Sequence, residues 1–316
     1  MTGLVVLVDP WSDVPEVERA CAGLDVAVER RDTIPSGPDV VGLVAGPDYA
    51  VGRREVAALP ALRVVATPST GFDHLDTAAL AAAGVWATNV SGYCDDEVAD
   101  HAIAMAIDLL RGVTLLDRSV RGGEWNYTVS FPRRIAHATL GVVGFGRIGR
   151  VTAGRGLALG MRVVAHDAFV PDDAIREAGV VPCASLHELM AAADVVTLHA
   201  ALTETTRGLV DAAALARMQP GSFLVNCSRA GLVDAAALGA ALRSGHLAGC
   251  ALDVLPVEPP AAGEPALTWP RTIINPHAAW ASAESVRLPY RYAAGNVAAV
   301  LRGGEPERDV IARPGR

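Results

Sequence analysis

Residues 139–167, TLGVVGFGRIGRVTAGRGLALGMRVVAHD, decide the fold. The apolar run Leu140–Val143 reads as a buried strand and leads directly into Gly144-Phe145-Gly146-Arg147-Ile148-Gly149. A helical stretch follows, and then a second apolar run, Val163–Ala165, with Asp167 at its end. Strand, glycine turn, helix and strand in this order make a dinucleotide-binding βαβ unit. Gly144 permits the tight turn, Gly146 lets the backbone approach a pyrophosphate, and Gly149 lets the helix pack on the strand. The pyrophosphate is expected on the N-terminal amides of the helix that opens near Arg147 and Ile148. Asp167, eighteen residues past Gly149, stands where a carboxylate takes the ribose 2′-hydroxyl. That charge repels a 2′-phosphate, and Ala168-Phe169-Val170-Pro171 brings no arginine to hold one. The expected cofactor is therefore NAD and not NADP.

At 316 residues the chain has room for two domains, each with its own core. No apolar stretch reaches the length that spans a bilayer. The N-terminus, MTGLVVLVDPW, reads as a first strand and not as a signal peptide, since no basic region precedes its apolar run. Five cysteines, odd in number and without a CxxC pair, fit reduced thiols and a cytoplasmic location. All 27 basic residues are arginine. The net charge of −8, with no basic stripe, argues against nucleic acid as the main partner. His166 and His187 stand beside acidic residues without metal-ligand spacing, so no metal is expected.

Outside the fingerprint, short apolar runs alternate with helical stretches. Leu4–Val8, Val40–Ala45, Arg63–Thr67 and Val85–Thr88 read as strands before it. Val195–His199, Phe223–Cys227, Gly249–Val254 and Thr272–Asn275 read as strands after it. The periodicity of Val98, Ala102, Met105, Leu109 and Leu116 predicts one long helix from Glu97 to about Arg121, and a last helix is expected over roughly Ala283–Leu301. The fold class is α/β, with two Rossmann-like parallel-sheet domains. A flavodoxin-like substrate domain is expected over 1–98 with 286–316, and a doubly wound NAD-binding domain over 99–285. Ligands of open α/β sheets bind beyond the carboxyl ends of strands, which directs attention to Ser69-Thr70-Gly71, Ser228-Arg229, Asp253–Glu258 and His277.

Taken singly, these residues are unremarkable: Arg229 as a surface ion-pair arginine, His277 as a hydrogen-bonded structural histidine, Glu258 as a loop charge. Taken in order they say more. Cys227-Ser228-Arg229-Ala230-Gly231-Leu232-Val233-Asp234, Ala251-Leu252-Asp253-Val254 with Glu258-Pro259, and Asn275-Pro276-His277 follow GFGRIG and an upstream STGFDHLD. This series resembles the D-isomer-specific 2-hydroxyacid dehydrogenase family from about Val64 to Trp280. Gly92-Tyr93-Cys94-Asp95-Asp96-Glu97-Val98-Ala99-Asp100-His101 and His277-Ala278-Ala279-Trp280 most resemble its C-terminal-binding-protein-like branch.

The resemblance implies NADH-dependent reduction of a 2-oxo acid to the D-2-hydroxy acid. Arg229 would hold the substrate's carboxylate and 2-oxo oxygen with its planar fork. His277 would be the acid–base, with Glu258 on its other ring nitrogen fixing the tautomer and favouring the protonated ring. Amides of the Ser69, Thr70, Gly71 loop would bind the substrate carboxylate. Asp253 would face the nicotinamide carboxamide, and His199, Cys227, Ser228 and His277 would line the cofactor site. Trp280 would form a wall of the substrate pocket and favour an apolar, aromatic or thioether tail. A homodimer is implied through the long helix and the loop around Trp125. Formate dehydrogenases of this superfamily carry glutamine where Glu258 stands, and phosphite dehydrogenases a lysine near Thr70, so neither activity is expected. Two alternatives stay open: an NAD(H)-sensing, corepressor-like binding protein, and a dehydrogenase for an unusual acid such as a phosphonate-bearing 2-oxo acid.

Overall fold

The structure is a computed structural model that describes residues 3–130 and 132–314. The chain divides into two compact units, Met1–Cys94 with Ser282–Arg316, and Asp95–Ala281. The sequence reading put these divisions at 98/99 and 285/286, and its ranges include residues 1, 2, 131, 315 and 316, which lie outside the described residues.

The first unit opens with β1 (Gly3–Val8), α1 (Val14–Ala20), β2 (Val26–Arg30), β3 (Val40–Ala45), α2 (Arg53–Ala58), β4 (Val64–Ala66), α3 (Thr77–Ala82) and β5 (Trp86–Thr88). The second holds α4 (Asp95–Arg111), α5 (Val113–Arg121), β6 (Thr139–Val143), α6 (Arg147–Ala158), β7 (Arg162–His166), α7 (Asp172–Glu177), β8 (Val181–Pro182) and α8 (Leu186–Ala192). It continues with β9 (Val195–Leu198), α9 (Ala212–Arg217), β10 (Ser222–Asn226), α10 (Ala235–Arg243), β11 (Leu247–Leu252) and β12 (Thr272–Ile274). The chain then returns to the first unit as α11 (Leu288–Leu301) and β13 (Val310–Ala312).

The first sheet runs β13-β5-β4-β3-β1-β2, parallel except for β13 at one edge. Without β13 this is the flavodoxin-like order, with its switch point between β1 and β3. Val6, Leu43, Val65 and Leu80 fill its core. The second sheet runs β12-β11-β10-β9-β6-β7-β8, all parallel, the doubly wound order with one strand added. Leu189, Leu198, Leu215 and Leu224 lie fully buried in that core. Near-continuous Val/Leu runs are what strands covered on both faces require. No helix among the described residues is long and apolar enough to cross a membrane.

Two expectations need correction, and three strands were not anticipated. The expected single helix over 97–121 is two helices, α4 and α5, broken at Gly112. Apolar periodicity runs through the break, but Gly112 adopts φ +66°, and a Cβ there would strike the Ser130 hydroxyl. The Asp108 carboxylate caps the restart by accepting the Thr114 amide at 2.8 Å and its hydroxyl. The last helix starts at Leu288 and not near Ala283, because Ser282 and Ser285 fold the preceding residues into a hydroxyl-capped turn and Pro289 suits a first helical turn. Strands β2, β8 and β13 carry too short or too exposed a pattern to be read from sequence.

Gly112→Ala places a Cβ at positive φ against Ser130 and should lower stability to urea by about 1–3 kcal/mol. Val113→Ala, the exposed neighbour, should stay within about 0.5 kcal/mol of the parent. Equal behaviour of the two variants would contradict the assigned break.

Candidate active site

All strands of the second sheet point the same way, so the loops after them emerge along one edge. Gly144 follows β6, Asp167 follows β7 and His199 follows β9. Cys227–Arg229 follow β10, Asp253–Glu258 follow β11, and His277 lies just beyond β12. The sheet order therefore puts the fingerprint towards one end of a row of loops and His277 at the other.

The fingerprint loop has the geometry a pyrophosphate needs. Gly144 turns at φ +90° with its amide on the His166 carbonyl, 2.9 Å away. A Cβ at Gly149 would collide with the Gly144 carbonyl oxygen, so only glycine lets α6 sit this close to the turn. At Gly146 a Cβ would project into open space. That is the cradle. Helices α1, α3, α8, α9 and α10 all begin under an Asp or Ser side chain that accepts a first-turn amide. Helix α6 starts at Gly146 with no side-chain cap, so its first-turn N–H groups are left to a ligand anion. Arg147 and Ile148 are the first residues of that turn, and the Arg147 guanidinium bonds Asp95 at 2.8 Å. Asp167 accepts the Phe145 amide at 2.7 Å and the amides of Phe169 and Val170 at 2.8 and 3.1 Å. Its carboxylate thus ties the glycine loop to the end of β7. The residues fit NAD on these grounds.

His199 bonds Thr197 through Nε2 at 3.0 Å, while its Nδ1 is buried without a protein partner. Burial lowers its imidazole to about 4, so the ring is neutral at pH 7. Cys227 is buried, lies 3.8 Å from the Met105 sulfur, and has its thiol pushed up by burial and then by the Asp253 charge. A thiol held protonated in this way does not act as a nucleophile. The Ser228 hydroxyl donates to the Leu198 carbonyl at 2.8 Å and fixes its loop to the end of β9.

The catalytic candidates converge at the other end of the row. His277 Nδ1 lies 2.7 Å from Glu258 Oε2, and Glu258 Oε1 accepts the Leu255 amide at 2.7 Å. Both side chains are about one-third exposed, open enough to meet a ligand. Burial alone would raise the Glu258 carboxyl. The hydrogen bonds from His277 and the Leu255 amide, with the charges of His277 and Arg229, together hold it below its ordinary value. Arg229 is therefore close enough for its charge to be felt at the pair, and its Nη1 also donates to the Ser228 carbonyl at 3.0 Å. His277 itself sits at φ +52°, a region few residues other than glycine adopt.

What holds it there is Asp253, 1% exposed. Its carbonyl accepts the His277 amide at 2.9 Å, and its two carboxylate oxygens accept the amides of Ala278 and Ala279, each at 2.9 Å. His101 Nε2, on α4, is 3.8 Å from the same carboxylate. Sequence reading cast Asp253 as facing a ligand, and this anchoring of the His277 loop was not visible to it. Trp280 is half-buried, three residues beyond His277.

In the first unit, Ser69, Thr70 and Gly71 follow β4 and are half-buried. The Ser69 hydroxyl bonds the Thr67 hydroxyl at 2.9 Å and the Gly71 carbonyl at 2.6 Å. Thr70 donates through its hydroxyl to the Val90 carbonyl at 3.0 Å, and its own carbonyl accepts Asn89 Nδ2 at 2.7 Å. Asn89, not singled out from sequence, is what stiffens this loop.

The chain is similar to known proteins along most of its length. The sequence model of the D-isomer specific 2-hydroxyacid dehydrogenase NAD binding domain matches residues 103–279. A glycerate dehydrogenase of Methylorubrum extorquens is 35% identical over 262 residues, covering 80% of this chain and 80% of that protein. An (S)-sulfolactate dehydrogenase of Chromohalobacter salexigens is 36% identical over 286 residues, covering 89% of this chain and 93% of its own. The solved D-lactate dehydrogenase of Aquifex aeolicus, complexed with NAD and lactic acid, has a TM-score of 0.90 at 26% identity, covering 99% of this chain and 100% of that one.

The depressed Glu258 carboxyl fixes a sign for pH dependence. A carboxyl whose folded pKa lies below its unfolded value contributes stability that is present above the unfolded value and lost as pH falls through the folded one. Glu258→Gln has no such contribution to lose. Melting temperatures of parent and variant should differ near neutrality and converge as pH falls through the carboxylate range. A gap that widens on acidification would refute the depressed carboxyl.

Proposed function

Because the chain belongs to the D-isomer-specific 2-hydroxyacid dehydrogenase family, whose members are NAD-dependent enzymes, we propose that it reduces a 2-oxo acid to the D-2-hydroxy acid with His277 as proton donor. The observation that carries this reading is the 2.7 Å bond between His277 Nδ1 and Glu258. It commits one ring nitrogen to the carboxylate and leaves Nε2 as the nitrogen that meets a substrate oxygen. Bound NADH would supply the hydride. His277 Nε2 gives its proton to the 2-oxo oxygen as negative charge grows there, and Glu258 stabilises the imidazolium before the transfer. Arg229 pairs with the substrate carboxylate and draws charge from the 2-oxo oxygen, which a planar guanidinium does through two parallel bonds. In the first unit, the Thr70 and Gly71 amides lie on a loop braced by Asn89. Running backwards, neutral His277 takes the hydroxyl proton.

Trp280, half-buried and three residues past His277, would suit the pocket to a substrate with an apolar or aromatic tail. The sulfonate-bearing substrate in the name of one relative supplies the contrasting possibility. Turnover on glyoxylate, hydroxypyruvate, phenylpyruvate and sulfopyruvate separates the two. Trp280→Ala should raise KM for phenylpyruvate more than for glyoxylate, and equal effects would remove Trp280 from the pocket.

The acid–base assignment has its own test. Asparagine tolerates the positive φ of position 277 but cannot shuttle a proton. His277→Asn should lower kcat by about 10²- to 10⁴-fold, with NADH affinity, followed by fluorescence, retained. Unchanged turnover would end the assignment.

A further inference from the structure

We propose that Asn226 is a positioning residue for Arg229, and so for the grip on the substrate's carboxylate; this rests on the role given to Arg229 above. Asn226 is the last residue of β10 and is 1% exposed. A buried side-chain amide is costly unless both of its ends are satisfied. Here both are, and both by the loop that carries Arg229. Asn226 Oδ1 accepts the Ser228 amide at 3.0 Å, and Nδ2 donates to the Arg229 carbonyl at 2.9 Å.

These bonds hold the 227–228 and 229–230 peptide units, one before and one after the Ser228–Arg229 link, and so constrain the direction in which the Arg229 side chain leaves the backbone. Arg229 is extended, with φ −141° and ψ 138°, and caps a single 3-10 turn over Ala230–Leu232, whose Leu232 amide donates to the Arg229 carbonyl at a longer 3.2 Å. The Ser228 hydroxyl anchors the loop to the end of β9 through the Leu198 carbonyl and does not touch the Arg229 carbonyl. Asn226 supplies the shorter of the two bonds to that carbonyl and ties it to the rigid end of β10.

The residue type is dictated by the pairing. The position must offer one acceptor and one donor, which an amide does and a carboxylate does not. The neighbouring strand end shows the complementary case. There Asp253 meets two N–H groups with two acceptor oxygens, and its backbone N–H donates to the Asn226 carbonyl at 2.9 Å. Amide at β10 and carboxylate at β11 thus divide the work, one orienting the arginine loop and the other the histidine loop.

The test is a double-mutant cycle in the full-length enzyme, with kcat/KM for a 2-oxo acid as readout. Asn226→Asp keeps the shape and loses the donor, while Asn226→Ala loses both bonds without adding charge. Each should lower kcat/KM about 10- to 100-fold, the scale of a small misplacement of a substrate-holding group, mainly through KM. NADH affinity should stay near that of the parent. In an Arg229→Ala background the same substitutions should change kcat/KM by less than about 2-fold, since the group they position is gone. Equal losses in both backgrounds would mean a general structural role and overturn the proposal, as would parental kinetics of Asn226→Ala. If Arg229→Ala itself leaves KM unchanged, the substrate-clamp reading of Arg229 fails instead, and that arm is scored without any Asn226 variant. Should Asn226→Asp not fold, Asn226→Ala alone completes the cycle.

Discussion

Seven parallel strands, β6 to β12, oblige every following loop to leave from one edge of the sheet, and the chemistry of the second unit depends on that constraint. Backbone polar groups in such loops lose their ladder partners where the strands stop, yet many remain buried. The structure answers with side chains at or just past the strand ends. Asp167 takes three amides of the glycine turn and its own loop, Ser228 reaches the Leu198 carbonyl, and Asn226 and Asp253 take the amides and carbonyl next to Arg229 and His277. Satisfying the backbone and aiming the functional groups are one and the same operation here. The precision of a site built on loops comes from buried polar groups on rigid strands.

The electrostatics have two depths. On the surface, Asp95 and Arg147, and Asp96 and Asp100 with Arg155, link α4 to the cofactor helix α6. Exposed pairs of this kind contribute little stability each, about 0–1 kcal/mol. Deeper, the Asp253 carboxylate is nearly inaccessible and is stabilised by directed amides rather than by a paired cation, with His101 at 3.8 Å. Its charge also helps keep the Cys227 thiol protonated. A buried carboxylate that meets backbone amides is a strong, directional anchor, because losing either partner strands a buried polar group.

The parts legible in the sequence are those whose physics is local. GFGRIG could be read because turn, close approach and helix start are all imposed within six residues, and the α/β alternation because parallel strands buried on both faces need unbroken apolar runs. Arg229, Glu258 and His277 were named from their pattern, and the structure sets His277 on Glu258 with the Arg229 charge felt there. Illegible parts involve partners far along the chain. Gly112 breaks a helix because of Ser130, eighteen residues on, while the apolar periodicity continues undisturbed. Asp253 grips amides twenty-five and twenty-six residues away. Asn226 was passed over because a lone asparagine after an apolar run looks like the start of any turn, and only its two bonds show otherwise.

The backbone of His277 places selection in tension with itself. At φ +52° glycine is the residue that would relax the chain. Drift that answered only to this backbone turn would wander from histidine, and only the imidazole's bond to Glu258 offsets part of that pull. Backbone conformation and turnover therefore pull the codon in opposite directions, as they do wherever a strained residue is the working one. A lineage released from the need for catalysis would record that release here early, by exchange of the histidine, while the glycines of the cofactor turn, which serve folding and binding together, persisted.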